Sequence, residues 1–354
     1  MPSVSRHWAL TWRLRRQHLV DGADSSVEVV RTLAAVSVFG SDPDLAVRRR
    51  LADPGAPGEV QRALSDGRLV RTFSFRGSVQ VMAPETAGAY LALRAAGRQW
   101  ALKSWVEHYR LRPDDWPDLR ALVREVVADG PVPPRAIADA VAGTRFDHLA
   151  TEFAEPNITL LKPLCWQGDV VLGPPVADGL TLQSPAAAPT WGGIPPLDEA
   201  GPRVVLEYVD AYGPCTPAHV HSWLGEGLSA GRKRLTTWWT EVQDRLARVD
   251  VDGEDRWVLA DRLPELVDVR PEESVVLLPG KDAWVMGPGT KDEWVVPAEH
   301  RTSMTRGANP VLVDGVVRGT WKVVGGAVDV DAPDAPIDGT AAEVERLETL
   351  LRTP

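Results

Sequence analysis

The chain has 354 residues, of which 44% are hydrophobic and 25% charged, and this composition is typical of a folded globular protein with two or three domains. It contains no run of about 18 apolar residues and begins without an apolar signal core, which argues against a membrane span and against secretion. Its two cysteines, Cys165 and Cys215, are too few for a disulfide framework or a four-ligand zinc site. We therefore expect a cytoplasmic, monomeric protein without a cofactor or structural metal.

Charge is distributed unevenly along the chain. The formal net charge is −10, but residues 1–110 hold 16 Lys and Arg against 10 Asp and Glu, while the remaining residues hold 23 against 39. A basic front joined to an acidic remainder predicts a localised anionic partner for the front, such as nucleic acid. The alternative is a solvated helix surface.

The amino-terminal third shows three helical patterns followed by an alternating stretch. Helices are predicted over 27–38, 43–51 and 58–65. Residues 69–81 alternate between apolar and polar side chains around a turn, which predicts a β-hairpin.

Two later stretches share a pattern of glycine and proline. Residues 128–137 read ADGPVPPRAI, and residues 211–220 read AYGPCTPAHV. In each, Gly-Pro ends a helical pattern and a second proline, Pro134 or Pro217, begins the next helix. Each stretch is thus a helix–turn–helix unit, and each is followed by a predicted hairpin, over 168–182 and 247–259.

Three helices closed by a hairpin form a winged helix-turn-helix, so we predict an α+β fold of three tandem winged helix-turn-helix units. Short β-like runs over 275–278, 283–286, 311–314 and 319–324 predict a β-rich C-terminal module, which ends in an amphipathic helix over 341–351. The predicted divisions are winged helix 1 with a basic first helix (1–110), winged helix 2 (111–184), a linker (185–200), winged helix 3 (201–271) and the β-rich module (272–354).

Four segments, taken in order, resemble one known family. They are LVRTFSFRGS (69–78), YVDAYGPCTP (208–217), LLPGKDA (277–283) and NPVLVDGVVRGTW (309–321). This set is similar to the AlkZ-like bacterial proteins, a winged-helix DNA-binding family that includes DNA glycosylases which excise bulky alkylpurine adducts and unhook interstrand crosslinks. The resemblance implies a role in DNA repair, a concave surface of DNA size and double-stranded DNA as partner.

The resemblance also implies where the chemistry should lie. Glycosylases of the family carry two polar residues separated by one apolar residue, typically Gln-x-Gln or Gln-x-Asp, and some relatives carry His-x-Ser/Thr followed by Asp-Pro. The matching stretch here is Phe39-Gly40-Ser41, followed by Asp42-Pro43. Phe39 occupies the first polar position, and a phenyl ring can neither orient water nor stabilise an oxocarbenium ion.

Ser41 and Asp42 are the remaining candidates for catalysis. N-glycosidic cleavage develops positive charge on the sugar, and an acceptor oxygen with a held water would stabilise that charge. The more common use of a Ser-Asp-Pro triplet is a helix start, with Ser41 or Asp42 as N-cap and Pro43 as the first helical residue. Both interpretations stay open at this point.

Basic residues that could contact DNA phosphates are spread over the chain. The candidates are Arg13, Arg16, Arg48, Arg71, Arg76, His219, Arg301, Arg306 and Lys322. For each, the alternative is a solvated surface or a pairing within the fold. No metal site is predicted, because His219 and His221 are two residues apart and do not share a helix face.

These observations leave three hypotheses. The first is a DNA-binding protein that grips duplex DNA, including damaged or distorted duplex, through salt-sensitive backbone contacts, and that is associated with the nucleoid. The second is an active glycosylase in which Asp42 and Ser41 replace the missing polar pair. The third is a non-catalytic family member that binds a genotoxin or a protein.

Overall fold

A computed structural model describes residues 1–155, 159–174, 179–225 and 229–352, and it gives the backbone but not the side chain of Arg76. Helices and strands are both present throughout, which confirms the predicted α+β class. Within the described residues, the strands form sheets of three, four and five strands.

The amino-terminal part follows the predicted order with shorter elements. Its bounds are β1 Ser3–Val4, α1 Arg6–Arg16, α2 Ser26–Thr32, β2 Val36–Ser37, α3 Pro43–Arg48, α4 Glu59–Ser65, β3 Val70–Phe73 and β4 Val79–Met82. The predicted hairpin is confirmed by the antiparallel pairing of β3 with β4. The prediction of one helix over 27–38 is wrong in its second half. Ala34 takes a left-handed φ of 64°, and the β-branched Val36 then starts a strand that pairs with β4.

The next part is mainly helical and ends in two short strands. Its bounds are α5 Pro84–Ala95, α6 Lys103–Tyr109, α7 Trp116–Val126, α8 Pro134–Val141, α9 Ala150–Ala154, α10 Leu161–Trp166, β5 Val171–Leu172 and β6 Leu182–Gln183. β5 and β6 are antiparallel, as predicted, and residues 175–178 between them lie outside the described residues. β5 also pairs with β3 through Leu172 and Arg71. The first two hairpins and β2 therefore form one five-stranded sheet of order β2-β4-β3-β5-β6.

The third part repeats the pattern of helices followed by a hairpin. Its bounds are α11 Leu197–Tyr212, α12 Pro217–Gly225, α13 Arg232–Glu241, β7 Leu246–Val251, β8 Glu254–Leu259 and α14 Leu263–Asp268. The predicted hairpin over 247–259 is confirmed by the register of β7 and β8. β1 adds to this hairpin in parallel, with Ser3 opposite Asp250, so the amino-terminal residues pack on the third part.

The carboxyl-terminal part is a four-stranded antiparallel sheet of order β12-β11-β10-β9 with helices around it. Its bounds are β9 Val275–Leu277, α15 Ala283–Met286, α16 Arg301–Arg306, β10 Asn309–Val313, β11 Val316–Val324, β12 Ala327–Asp331 and α17 Ile337–Arg352. The prediction of a β-run over 283–286 is wrong. The side chain of Asp282 accepts a hydrogen bond from the backbone N–H of Trp284 and starts a helical turn there.

Arginines of the amino-terminal part are largely paired inside the molecule, which corrects the expectation of a free cationic front. Several of their partners are carboxylates beyond residue 110, in the pairs Arg15–Glu272, Arg16–Asp210, Arg49–Glu343 and Arg50–Asp282. Part of the positive charge of residues 1–110 is therefore neutralised by carboxylates from the rest of the chain.

Candidate active site

A pocket opens between β2 and β4, helix α12 and the segment that leads into α15. Its volume is about 260 Å³. The pocket has a polar wall, an aromatic floor and one lysine. The side chains that line these parts are Ser37, Phe39, Phe75, Ser78, Gln80, Tyr212, Trp223, Lys281 and Thr305.

Ser37 and Gln80 form a polar pair on the wall of the pocket. The antiparallel register of β2 and β4 places Ser37 directly opposite Gln80. Residues opposite each other in a sheet point to the same face, and both of these line the pocket. Gln80 is only 7% exposed, so its amide is held in a largely dry environment. A hydroxyl and an amide on neighbouring strands offer both hydrogen-bond donors and acceptors to a water molecule or a substrate.

Phe75, Tyr212 and Trp223 form the aromatic floor. The ring centroid of Trp223 lies 4.4 Å from that of Phe75 and 5.4 Å from that of Tyr212. The hydroxyl of Tyr212 donates to the carbonyl oxygen of Leu33 at 2.7 Å, and burial raises the pKa of Tyr212. Tyr212 is therefore a neutral structural phenol, and the floor is a cluster of mutually tilted aromatic rings.

Phe39 and Lys281 lie together at the rim. Phe39 is 72% exposed, an unusual position for a large apolar side chain. The Nζ atom of Lys281 lies 4.7 Å from the centroid of the Phe39 ring, which is a cation–π distance. Phe39 thus contacts the one lysine among the described residues of the pocket.

A buried ion pair holds the segment that carries Lys281. Arg50 and Asp282 have no exposed side-chain surface, and Nη1 and Nη2 of Arg50 donate to Oδ2 and Oδ1 of Asp282 at 2.8 and 2.7 Å. Such a two-bond pair fixes both distance and orientation. It ties the chain just after α3 to the residue that follows Lys281.

Ser41 and Asp42 do not line the pocket. Gly40, with a left-handed φ of 67°, turns the chain away after Phe39. Asp42 Oδ1 then accepts a hydrogen bond from the backbone N–H of Leu45 at 2.9 Å, and Pro43 is the first residue of α3. Asp42 is thus the N-cap of α3, as one of the two interpretations of the triplet predicted, and a catalytic role for Ser41 and Asp42 stays a prediction that their position outside the pocket does not support. The sequence pattern missed Ser37, which lines the pocket from a position two residues before Phe39.

Arg13 and Arg48 are structural, which corrects their assignment as DNA contacts. Arg13 is 2% exposed and donates to the carbonyl oxygens of Gly213 and Pro214 at 3.1 and 3.3 Å. Arg48 is also buried, and one of its bonds reaches the carbonyl oxygen of Leu350 at 3.1 Å. Neither guanidinium can contact a phosphate in this fold.

Three further candidate cations are engaged by carboxylates. Their partners and separations are Arg16–Asp210 at 2.7 Å, Arg301–Glu293 at 3.0 Å and Lys322–Asp329 at 3.5 Å. A paired cation has less charge to offer a phosphate, so these residues are weaker candidates than their sequence context indicated.

Arg71 and His219 are held by backbone groups. Arg71 Nη2 donates to the carbonyl oxygen of Gly173 at 2.8 Å, and burial lowers the pKa of Arg71. The Nδ1 atom of His219 accepts a hydrogen bond from the backbone N–H of Thr216 at 3.2 Å. Burial lowers the pKa of His219 to about 4, so this imidazole is neutral near pH 7 and does not neutralise a phosphate there, which corrects that expectation.

Arg306 is a candidate cation that remains accessible to solvent. It is exposed at the end of α16, next to Thr305 of the pocket lining, and among the described residues it has no carboxylate partner. Arg76 lies in the turn between β3 and β4, and its side chain is outside the described part of the chain.

The described ranges contain no group of three or more His, Cys, Asp and Glu side chains that could hold a metal ion, and none of their helices is long and apolar enough to cross a membrane. Cys165 and Cys215 are free and buried, and burial raises the pKa of each thiol to about 12. Neither is therefore a reactive thiolate near pH 7.

Residues 27–350 match the family described as "DNA glycosylase AlkZ-like", and the chain therefore belongs to the AlkZ-like DNA glycosylase family. It is 33% identical over 360 residues to the interstrand DNA cross-link repair glycosylase of Streptomyces sahachiroi, a match that covers 97% of this chain and 96% of that protein. The solved structure of the Streptomyces sahachiroi DNA glycosylase AlkZ is similar with a TM-score of 0.87 at 30% identity, covering 99% of both chains.

Proposed function

We propose that the protein is a DNA glycosylase that hydrolyses the N-glycosidic bond of bulky alkylated purines in duplex DNA. The juxtaposition of Ser37 and Gln80 above an aromatic floor carries the proposal, because it supplies polar chemistry in the pocket despite the phenyl ring at position 39. The likeness to a cross-link repair glycosylase over nearly the whole chain supports the same class of substrate.

The chemistry of the pocket suits a substrate whose base is already activated. A purine alkylated on a ring nitrogen carries positive charge and leaves as a neutral base, so no strong general acid is needed. Positive charge then develops on the sugar, where acceptor oxygens and a held water lower the barrier. Ser37 Oγ and Gln80 Oε1 are such acceptors, and no carboxylate is present among the described lining residues. The aromatic floor would pack against the extruded base.

Tandem winged helices over 1–110, 111–184 and 201–271 would present the pocket to duplex DNA, and the protein would act as a monomer in the cytoplasm at the nucleoid. Arg306 would contact a phosphate at the pocket rim. Backbone contacts of this kind position the DNA, while the pocket selects the lesion.

Gln80→Ala is the sharpest test of this proposal. The substitution removes the amide acceptor from the pocket wall, and single-turnover release of base from duplex with N7-alkylated or crosslinked purines should fall about 100-fold. Release is measured by chromatography of the freed base under excess protein, beside duplex affinity by fluorescence anisotropy, which should change little.

The matched control is Gln243→Ala, the same substitution at an exposed glutamine in the turn before β7, and it should release base at the unmodified rate. Unaltered release in Gln80→Ala would remove Gln80 from the mechanism. If the unmodified protein binds duplex but releases no base, it is a non-catalytic DNA-binding protein. If it does neither, binding of a genotoxin or of a protein is the remaining hypothesis.

A further inference from the structure

Lys281 is a candidate nucleophile within the pocket. It is half-buried and lines the same cavity as Ser37 and Gln80. Among the described residues it has no carboxylate partner, and its Nζ atom lies over the Phe39 ring. A lysine amine with a free lone pair is a nucleophile toward carbonyl carbon, and this is how lysines form covalent intermediates in enzymes.

The backbone conformation of Lys281 and its close neighbours restrict the position of its side chain. Its backbone is left-handed, with φ of 56°, which is uncommon for a residue other than glycine and is found more often at functional sites. A methyl group at Gly40 would lie 2.9 Å from Nζ of Lys281, and one at Gly307 would lie 3.2 Å from its Cε. The small neighbours therefore admit the lysine stem, and the Arg50–Asp282 pair fixes the next residue. Lys281 is held in the pocket rather than left to move over the surface.

We propose that Lys281 gives the protein a second activity, an abasic-site lyase that acts on the sugar left after base excision. The proposal rests on the proposed function for the source of that sugar, since hydrolysis of the N-glycosidic bond leaves a deoxyribose whose open form is an aldehyde at C1′. The aldehyde would be generated in the cavity that Lys281 lines.

The reaction balances without any oxidant or reductant. After Lys281 gives a proton to solvent, its Nζ attacks C1′ of the aldehyde and the C1′–N bond forms. The former carbonyl oxygen takes one proton from the amine and one from solvent and leaves as water, which gives a protonated imine. The positive imine makes the C2′ hydrogen acidic. That proton passes to solvent, the C3′–O bond breaks, and the 3′ phosphate leaves with the bonding electron pair. Water then hydrolyses the imine and restores the lysine.

Borohydride trapping on the full-length protein tests this activity. A duplex with one preformed abasic site is incubated with protein and sodium borohydride, which reduces the imine to a stable amine. We expect a covalent protein–DNA complex whose attachment maps to Lys281 by proteolysis and mass spectrometry, and a strand break 3′ to the abasic site when borohydride is omitted.

Two variants separate the nucleophile from a phosphate contact. Lys281→Arg keeps the positive charge, but a guanidinium stays protonated and forms no imine, so the trapped complex should be lost while duplex affinity is kept. Lys103→Met, at a lysine on the exposed helix α6, should trap at the unmodified level. Absence of a trapped complex with the unmodified protein, attachment at another amine, or trapping that persists in Lys281→Arg would overturn the proposal. Loss of affinity in Lys281→Met together with no trapping by the unmodified protein would show that Lys281 binds phosphate only.

The preformed abasic site keeps this test separate from the proposed function. Trapping at Lys281 without base release from alkylated duplex would establish the lyase and contradict the glycosylase. Base release without trapping would establish the glycosylase and contradict the lyase.

Discussion

His219 is a buried imidazole at the start of α12, and its surroundings determine its charge. Its Nε2 atom lies 3.8 Å from Oδ2 of Asp292. Burial lowers the pKa of His219 to about 4, the nearby Arg256 and Arg13 act in the same direction, and Asp292 opposes them. The folded protein therefore keeps the imidazole neutral over the range in which an unfolded chain would protonate it.

The expected consequence is an acid-dependent loss of stability. Because the unfolded imidazole has a pKa of 6.5 and the folded one about 4, the contribution of His219 is complete above pH 6.5 and is lost as the pH falls toward 4. The slope is at most about 1.4 kcal/mol per pH unit. His219→Gln should flatten the pH dependence of the free energy of unfolding in this window, measured by urea denaturation from pH 7 to 4. Parallel curves for the two proteins would show that His219 does not titrate as described.

At the scale of elements, the Arg50–Asp282 pair joins the end of α3 to the start of α15. Asp282→Ala would leave the fully buried guanidinium without its counter-charge and remove the cap of α15. We expect a loss of about 3–5 kcal/mol in the free energy of unfolding, measured by denaturant titration. The matched control is Asp329→Ala, which breaks the exposed pair with Lys322 and should cost less than about 1 kcal/mol. Similar losses for both variants would contradict a special role for the buried pair.

Local sequence signals located most of the elements but not their ends. The hairpins were predictable because alternation and turn residues act over a few neighbours, as in β3–β4 and β7–β8. The end of α2 could not be predicted in this way, since Val36 and Ser37 form a strand only when β4 lies beside them. The prediction of a strand over 283–286 failed for a related reason. The capping side chain of Asp282 outweighs the β-propensity of this short apolar run.

Across the whole molecule, many basic side chains are paired with carboxylates and are not free to bind an anionic partner. Arg306→Ala should therefore weaken duplex binding similarly for all sequences and reduce the slope of log affinity against log salt by about 1, because this exposed cation has no carboxylate partner among the described residues. Arg16→Ala should leave the slope unchanged, because Asp210 already pairs with Arg16. Anisotropy titrations between 50 and 300 mM salt provide the measurement. Equal slopes for the unmodified protein and Arg306→Ala would exclude a phosphate contact at this residue.

The sequence indicated the family but not the geometry of the pocket. Composition showed the excess of arginine in the front, yet only the fold reveals that carboxylates far along the chain, such as Glu343 and Asp282, neutralise it. Ser37 and Gln80 carry no motif of their own, and their importance comes from a cross-strand register. Lys281 lies in a segment recognised only for its family likeness, and its backbone conformation could not be inferred from its neighbours.

If the protein excises damaged bases as proposed, the pairing of β3 with β5 has a consequence for how a lesion is selected. Leu172 and Arg71 fuse the first two hairpins into a continuous sheet, and the bond from Arg71 to Gly173 reinforces the join. Because one sheet contains both hairpins, we expect little movement between them, and most of the adjustment during an encounter would then come from the DNA. The protein would then discriminate between duplexes by the free energy needed to bend and unstack them. This favours sites where an adduct has already disturbed the helix.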